Sequence, residues 1–439
     1  MSTLSLSSYA PPSINATPAY TAEPQDFEQR IALADRLRPR PAGNFIIKNS
    51  KKGEVTLRLN AQEEDAVLPV YGSGGLVEGA VELAKTDGVT SVEVKIEGTL
   101  LLKEIAEGGT AVAKLCLNTQ TLWVRDAVNT ACPSTLRFAI SLPNAFDYED
   151  KNYPLPPTFH VKLSGLPGFI ASIEYSVTAI IGKPNGPLPK VKSKALGIHI
   201  GSIVVSTPFI YYPRTRPALQ IPPPLSLSLY QNGFEPNSDW KCTESVIPSK
   251  SLIRQDILVK LYIPASRIFC MGQPIPFHLS FESSAVSLAA FLPMAPSVNT
   301  VSKYRSTRVQ LMRQTTVDVR NTVMSGVKTD MWRVDCIAEG TFKHAGDGPT
   351  WIAFKGEMIV DEEIKVAGFR AAGLSVKDCI LLTVTPHDPI KSPFGDLREV
   401  IPVKLATDPW SANGAGIGAQ RDSPAFDIPT PPLGTDGGM

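Results

Sequence analysis

The feature of this chain that most restricts its fold is a strand signature that occurs twice, about one domain length apart. The first copy covers residues 74–83 and the second covers residues 272–281. Because successive side chains of a strand point to opposite faces, apolar residues at every second position bury one face of a sheet and expose the other. Two copies predict two β-domains in tandem. The alternating apolar positions are Val77, Val81, Leu83, Ile275, Phe277, Leu279 and Phe281.

The same alternation continues through both halves of the chain. It recurs at residues 55–59, 92–96, 136–142 and 173–177, and again beyond residue 257. One-sided burial of this kind is typical of antiparallel sheets that pack in pairs as sandwiches. The 39 prolines and 32 glycines supply the turns that many strands need. The predicted fold class is therefore all-β, with two tandem β-sandwich domains.

Composition shifts along the chain predict five segments. The tails are rich in Ser, Pro, Thr, Ala and Gly, which predicts disorder, although residues 26–38 of the first tail could form one short helix. The run Pro222–Pro224 predicts a stiff, extended spacer between the domains. The segments are 1–44, the disordered N-terminal tail; 45–217, the first sandwich; 218–237, the proline-rich linker; 238–408, the second sandwich; and 409–439, the disordered C-terminal tail.

Charge and cysteine usage narrow the class of protein. With 43 basic and 42 acidic side chains the net charge is +1, so no general attraction to nucleic acid is expected. The six cysteines are scattered without a CxxC pair, which favours reduced thiols in the cytoplasm over disulfides. The N-terminus lacks the basic and apolar regions of a signal peptide. A soluble cytoplasmic protein is predicted, which leaves peripheral recruitment to the plasma membrane or endosomes open.

Catalytic chemistry is not indicated by the sequence. The five histidines fall in separate segments, and none has the spacing of a metal site. His278 lies between Phe277 and Leu279, so its register predicts a solvent-facing position. The expectation is a protein that is not an enzyme, with no catalytic, metal-binding or cofactor-binding residues and no cofactor.

Five short segments, in order, resemble the arrestin family in its broad, α-arrestin-like sense. In the first half, a tyrosine, a glycine turn and a spaced Val-x-Gly-x-Val are followed by a Leu-Pro-Pro-Thr-Phe segment and one further strand. In the second half, the similarity lies in the opening strand and in one late strand. The residues are Tyr71, Gly74, Val77, Gly79 and Val81; 155–159; 173–179; Gly272, Ile275, Phe277 and Leu279; and 376–384.

The resemblance implies two immunoglobulin-like β-sandwiches joined end to end, and an adaptor that binds cytoplasmic tails of membrane receptors or transporters. Such adaptors support endocytic trafficking or ubiquitination. The chain has no Pro-Pro-x-Tyr motif, so a ubiquitin ligase or endocytic machinery would have to be recruited by another route. Two alternatives stay open. One is a coat-type cargo-sorting subunit like the retromer component that shares the arrestin fold; the other is a secreted or cell-wall β-sandwich binding protein.

Two groups of basic residues are candidate partner-binding sites. Lys48, Lys51 and Lys52 lie on or just after the first predicted strand, where arrestin-like proteins can present lysines to phosphorylated receptor tails. Arg214 and Arg216 lie before the linker, where they could contact acidic headgroups or the second domain. The alternative for the lysines is an ordinary solvated turn. For the arginines it is a soluble, extended linker.

Overall fold

The computed structural model describes residues 28–31, 45–60, 67–105, 109–166, 168–183, 202–228, 232–297, 305–320 and 328–412. Within these ranges the protein is all-β, with one short helix, α1 (Ala285–Phe291), followed by a 3-10 turn. The predicted all-β class is confirmed, and the large curled sheets are consistent with a β-sandwich. Most of the two tails for which disorder is predicted lies outside the described residues.

The first half of the chain forms two larger sheets that pack face to face, and two separate pairs of short strands. Its strands are β1 (Glu28–Ile31), β2 (Ile46–Asn49), β3 (Val55–Leu59), β4 (Val70–Tyr71), β5 (Leu76–Leu83), β6 (Ser91–Glu104), β7 (Thr110–Val124), β8 (Thr135–Ser141), β9 (Ala145–Tyr148), β10 (Lys151–Pro154), β11 (Phe159–Leu163), β12 (Phe169–Gly182), β13 (Ser202–Tyr211) and β14 (Arg214–Pro217). One sheet has the order β2-β3-β5-β8 and the other β4-β13-β12-β6-β7, with β11 beside β12. The alternating residues fill the space between them, because Val77 and Val81 of β5 share one core with Val94 of β6 and Val177 of β12.

The second half forms one large sheet that curls over on itself. Its strands are β15 (Trp240–Ile247), β16 (Ile257–Pro264), β17 (Ile268–Cys270), β18 (Ile275–Glu282), β19 (Thr307–Arg320), β20 (Lys328–Gly348), β21 (Trp351–Met358), β22 (Phe369–Ala371), β23 (Leu374–Val384) and β24 (Leu397–Ala406). The order is β15-β16-β18-β21-β20-β19-β23-β24-β17, with β22 beside β23. The long strand β20 pairs with β19 through its first part and with β21 through its last part. The curl brings β15 back to β24, where Ser245 Oγ donates to Glu399 Oε2 at 2.9 Å.

Side chains from both halves meet in one of the cores. Val317 and Leu374 of the second sheet belong to the same buried cluster as Leu102 and Phe169 of the first half. Every strand pair of the described residues nevertheless joins strands of the same half. The division into two tandem domains with the predicted boundaries therefore stays a prediction.

The proline-rich linker is packed against the curled sheet of the second half. Residues 222–227, named here the proline strap, cross the outer face of β15, β16 and β18. Leu225 is buried, its backbone N–H donates to His278 Nε2 at 3.1 Å, and Trp240 Nε1 donates to the carbonyl oxygen of Pro223 at 3.0 Å. The sequence predicts a spacer here, and the structure shows that the segment also covers part of the sheet.

The predicted solvent-facing position of His278 is wrong for this reason. The imidazole is 2% exposed, with the rings of Phe234 and Trp240 each 4.6 Å away. Its neighbours on the adjacent strands are Tyr262 and Lys355. Burial, and then the charge of Lys355, lowers the pKa of His278 to about 4.

This lowered pKa makes stability dependent on pH. The unfolded chain takes up a proton on His278 near pH 6.5, whereas the folded protein does so near pH 4. The stabilisation is therefore complete above pH 6.5 and is lost as the pH falls toward 4. The variant His278→Gln keeps an acceptor but does not titrate. Between these limits we expect the free energy of unfolding, measured with urea, to drop by roughly 3 kcal/mol more in the wild type than in this variant. An equal drop in both proteins would contradict the assignment.

In the core of the curled sheet, the Phe277 ring packs directly over Gly340 and Gly356. The Phe277 ring is fully buried, and a Cβ at Gly340 or Gly356 would come within 2.9 or 2.3 Å of it. We expect Phe277→Ala to lower the free energy of unfolding by about 3–5 kcal/mol, because it leaves a cavity. The control is Phe277→Leu, which should cost clearly less. Equal losses in urea unfolding would show that the ring is not what fills this space.

Candidate functional site

Three segments meet at one buried polar junction. They are residues 28–31, residues 214–217 at the end of the first half, and residues 404–408 of the second half. Residues 28–31 form β1, which pairs antiparallel with β14, and Glu28 lies opposite Pro217. The prediction of a helix over residues 26–38 is therefore wrong for the described part. A helix would satisfy backbone groups locally, but β14 offers an open edge and the second half offers a countercharge for Glu28.

That countercharge is Lys404 of β24. Its Nζ lies 2.5 Å from Glu28 Oε2, and the two side chains are only 10% and 3% exposed. Burial lowers the pKa of Lys404, while the Glu28 carboxylate acts in the opposite direction and favours the charged amine. The ion pair thus joins β1 to the second sheet across 376 residues of sequence.

Arg214 connects the first half to the end of β24. Its guanidinium forms a forked ion pair with Asp408, in which Nε lies 3.0 Å from Oδ2. Burial alone would raise the pKa of Asp408, but hydrogen bonds from Arg214 and Thr407 outweigh it and lower that pKa. The neighbouring backbones are also joined, because Thr215 N donates to Thr407 Oγ1 at 2.9 Å and Asp408 N donates to Thr215 O at 3.0 Å.

Arg216 lies in the interior of this junction. It is 2% exposed, and its Nε donates to Gln29 Oε1 at 3.0 Å. Burial lowers the pKa of Arg216, and Asp408 counteracts this effect. In this conformation Arg216 is inaccessible to a headgroup or a protein partner, and Arg214 is engaged by Asp408. That Arg214 and Arg216 bind a partner stays a prediction that would require the junction to open.

The three predicted lysines lie together on a separate hairpin. Lys48 is exposed on β2, and Lys51 and Lys52 are exposed in the turn to β3. The turn is closed by Gly53 N donating to Ser50 O at 2.9 Å, and Gly53 has a φ of +70°, a conformation that glycine adopts without strain. This local structure holds the two turn lysines in solvent.

Two further lysines extend this basic surface, and sequence reasoning missed both. Lys183 Nζ lies 2.9 Å from Glu54 Oε2. The pKa of Glu54 is lowered first by this hydrogen bond and charge from Lys183, and also by the charges of Lys52 and Lys85. Lys85 and Lys183 are far from Lys52 in sequence. Lys85 comes close because β5 pairs with β3, and Lys183 comes close because the end of β12 lies beside Glu54, so only the structure shows that these lysines are neighbours. We name Lys48, Lys51, Lys52, Lys85 and Lys183 the lysine surface.

The lysine surface and the junction both act through charged side chains. The lysine surface can bind an anion, and the junction holds charges of both signs in contact. The six cysteines are free thiols. Within the part of the chain that the structure describes, no group of His, Cys, Asp and Glu has the geometry of a metal site, and no helix is long and apolar enough to cross a membrane.

The junction ion pair gives a stability prediction. Removing the Glu28 charge with Glu28→Gln leaves the buried Lys404 amine without that carboxylate, so we expect a loss of about 3–5 kcal/mol of unfolding free energy. The double variant Glu28→Leu/Lys404→Met removes both charges and should recover most of the loss. Urea unfolding of the wild type, Glu28→Gln, Glu28→Leu, Lys404→Met and the double variant measures this. Additive losses in the double variant would show that the two side chains do not depend on each other.

No protein-family model matches the chain, and no curated protein sequence matches it at a significant level.

Proposed function

We propose that the protein is a non-catalytic adaptor that binds cytoplasmic segments of membrane proteins and supports their endocytic trafficking or ubiquitination. The observation that carries this proposal is the exposed edge strand β2 beside the lysine surface. The arrestin-like order of motifs in the sequence points to the same class of protein.

Strand β2 is suited to pairing with an extended peptide. It is the terminal strand of the order β2-β3-β5-β8, and no strand pairs with its outer side among the described residues. An open edge can accept a further strand, because its backbone groups are already aligned for hydrogen bonding. Ile47 is 56% exposed and Phe45 37% exposed, with Arg58 stacked 3.5 Å above the Phe45 ring. These side chains offer apolar contacts to a peptide lying on the edge.

The lysine surface supplies the selectivity. Lysine amines are mobile point charges that suit phosphate and carboxylate groups. A segment added to β2 would run past Lys48 and reach the turn that carries Lys51 and Lys52. The preferred ligand is thus an extended segment with phosphorylated or acidic side chains.

Binding to phosphorylated peptides tests the recognition step. The peptides represent cytoplasmic tails of transporters and receptors, in phosphorylated and unphosphorylated form. We expect Lys48→Glu/Lys51→Glu/Lys52→Glu to weaken binding of the best phosphorylated peptide at least tenfold, because charge-assisted contacts contribute about 1.5–3 kcal/mol each. We also expect wild-type binding to weaken between 50 mM and 500 mM salt.

The matched control reverses three exposed lysines elsewhere, with Lys103→Glu/Lys241→Glu/Lys343→Glu, and changes the net charge equally. If both triple variants lose binding to the same extent, general charge explains the result and the site is wrong. Proximity labelling in cells tests the role itself. Enrichment of membrane transporters with ubiquitin ligases supports the adaptor, whereas a set of secreted or nuclear neighbours alone contradicts it.

A further inference from the structure

The chain holds its own proline strap against aromatic side chains of β15, β16 and β18 and against Phe234 of the segment that precedes β15. We name Phe234, Trp240, Tyr262 and His278 the aromatic cradle. These four side chains are buried beneath or beside the proline strap. Three of the contacts that hold the strap involve its Pro-Pro-Leu part: the Pro223 carbonyl accepts from the Trp240 indole, the Leu225 N–H donates to His278, and the Leu225 side chain is buried. Beyond it, Glu235 N donates to Ser226 O at 2.9 Å.

One of these contacts, an indole N–H on the carbonyl oxygen of an extended proline-rich segment, suits the recognition of such segments by an aromatic surface. An indole N–H donates to a carbonyl that has no helix or sheet partner, and the prolines hold the ligand extended at little entropic cost. The strap prolines at 223 and 224 are themselves exposed. Recognition therefore rests on a Pro-Pro-Leu triplet, through one carbonyl, one N–H and one leucine.

The same triplet occurs once more in the chain. Residues 221–225 read Ile-Pro-Pro-Pro-Leu, and residues 428–433 read Ile-Pro-Thr-Pro-Pro-Leu. In a sequence alignment of the two triplets, Pro431 corresponds to Pro223 and Leu433 corresponds to Leu225. The second segment, named here the tail motif, can thus offer the carbonyl, the N–H and the leucine that the cradle binds.

The segments that lead to the strap and to the tail motif start side by side at the junction. Asp408 N donates to Thr215 O at 3.0 Å, so the two chain segments are adjacent at the junction. The strap reaches the cradle with the 10 residues from Thr215 to Leu225, and the tail has 25 residues from Asp408 to Leu433. Extended, 25 residues reach up to about 80 Å. The tail motif is therefore long enough to reach the cradle of its own molecule.

We propose that the aromatic cradle is a binding site for proline-rich segments that the strap occupies, and that the tail motif of the same chain competes with the strap for it. The strap has an additional contact, since Leu227 bridges to Phe234, whereas Gly434 and Thr435 follow the tail leucine. The strap is thus the preferred ligand, and the tail motif binds when the strap lifts.

The first experiment adds a synthetic peptide of residues 425–436 to the full-length chain carrying Pro431→Ala/Leu433→Ala, with and without the strap change Leu225→Ala. The readout is the ¹⁵N-indole NMR signal of Trp240, assigned with Trp240→Phe. We expect the peptide to shift this signal, with at least tenfold higher affinity when Leu225→Ala weakens the strap. The control is the same peptide with both Pro431→Ala and Leu433→Ala. An unshifted signal at millimolar peptide, or equal shifts by both peptides, overturns the proposal.

The second experiment does not depend on the strap variant being folded. Hydrogen exchange of the Leu225 amide is measured in the wild-type chain and in the tail variant Pro431→Ala/Leu433→Ala. A competing tail motif keeps the strap lifted for longer. Removing the tail motif should therefore slow hydrogen exchange of the Leu225 amide at least twofold, and this effect should not depend on protein concentration. Unchanged exchange overturns the competition, and a rate that depends on concentration shows that the tail motif acts on a second copy instead of its own cradle.

Discussion

The arrangement of the two halves depends on charges that have been withdrawn from water. A buried ammonium or carboxylate costs several kcal/mol unless an opposite charge meets it in good geometry. Lys404 and Glu28 satisfy each other only when β1 lies on β14 while β24 is in place. Arg214 and Asp408 impose the same condition from the other side. Any sliding of one half against the other would separate these two ion pairs, so together with the shared apolar core they favour one arrangement of the halves.

The lysine surface and the aromatic cradle relate differently to this junction. The lysine surface belongs to the first half and is formed by one hairpin with two neighbouring strand ends, so it does not need the second half to be docked. The aromatic cradle belongs to the second half, but the strap that covers it follows the junction closely in sequence. Opening of the junction would consequently alter the strap and leave the β2 edge unchanged.

Alternation of apolar side chains predicted the strands well, because burial of one sheet face leaves a local trace in the sequence. Leu57 of β3 and Val81 of β5 are examples, since both are fully buried as their register predicts. β1 could not be recognised, since its partner β14 comes more than 180 residues later. His278 was misjudged because a distant strap covers the face that its register exposes. The burial of Arg216 could not be predicted either, because burial between two halves leaves no local pattern in the sequence. The arrestin resemblance stays a hypothesis about function.

The ion pair between Glu28 of β1 and Lys404 of β24 also affects how the protein is made. Glu28 must wait for Lys404, which follows it by 376 residues. At translation rates of about 5–20 residues per second, this delay is roughly 20–75 s. During that time the ribosome holds a first half whose core neighbours Val317 and Leu374 have not all been synthesised. The junction therefore reaches its native structure only after Lys404 has been made, and chaperones that shield exposed apolar surface would have their greatest effect on the first half before that point.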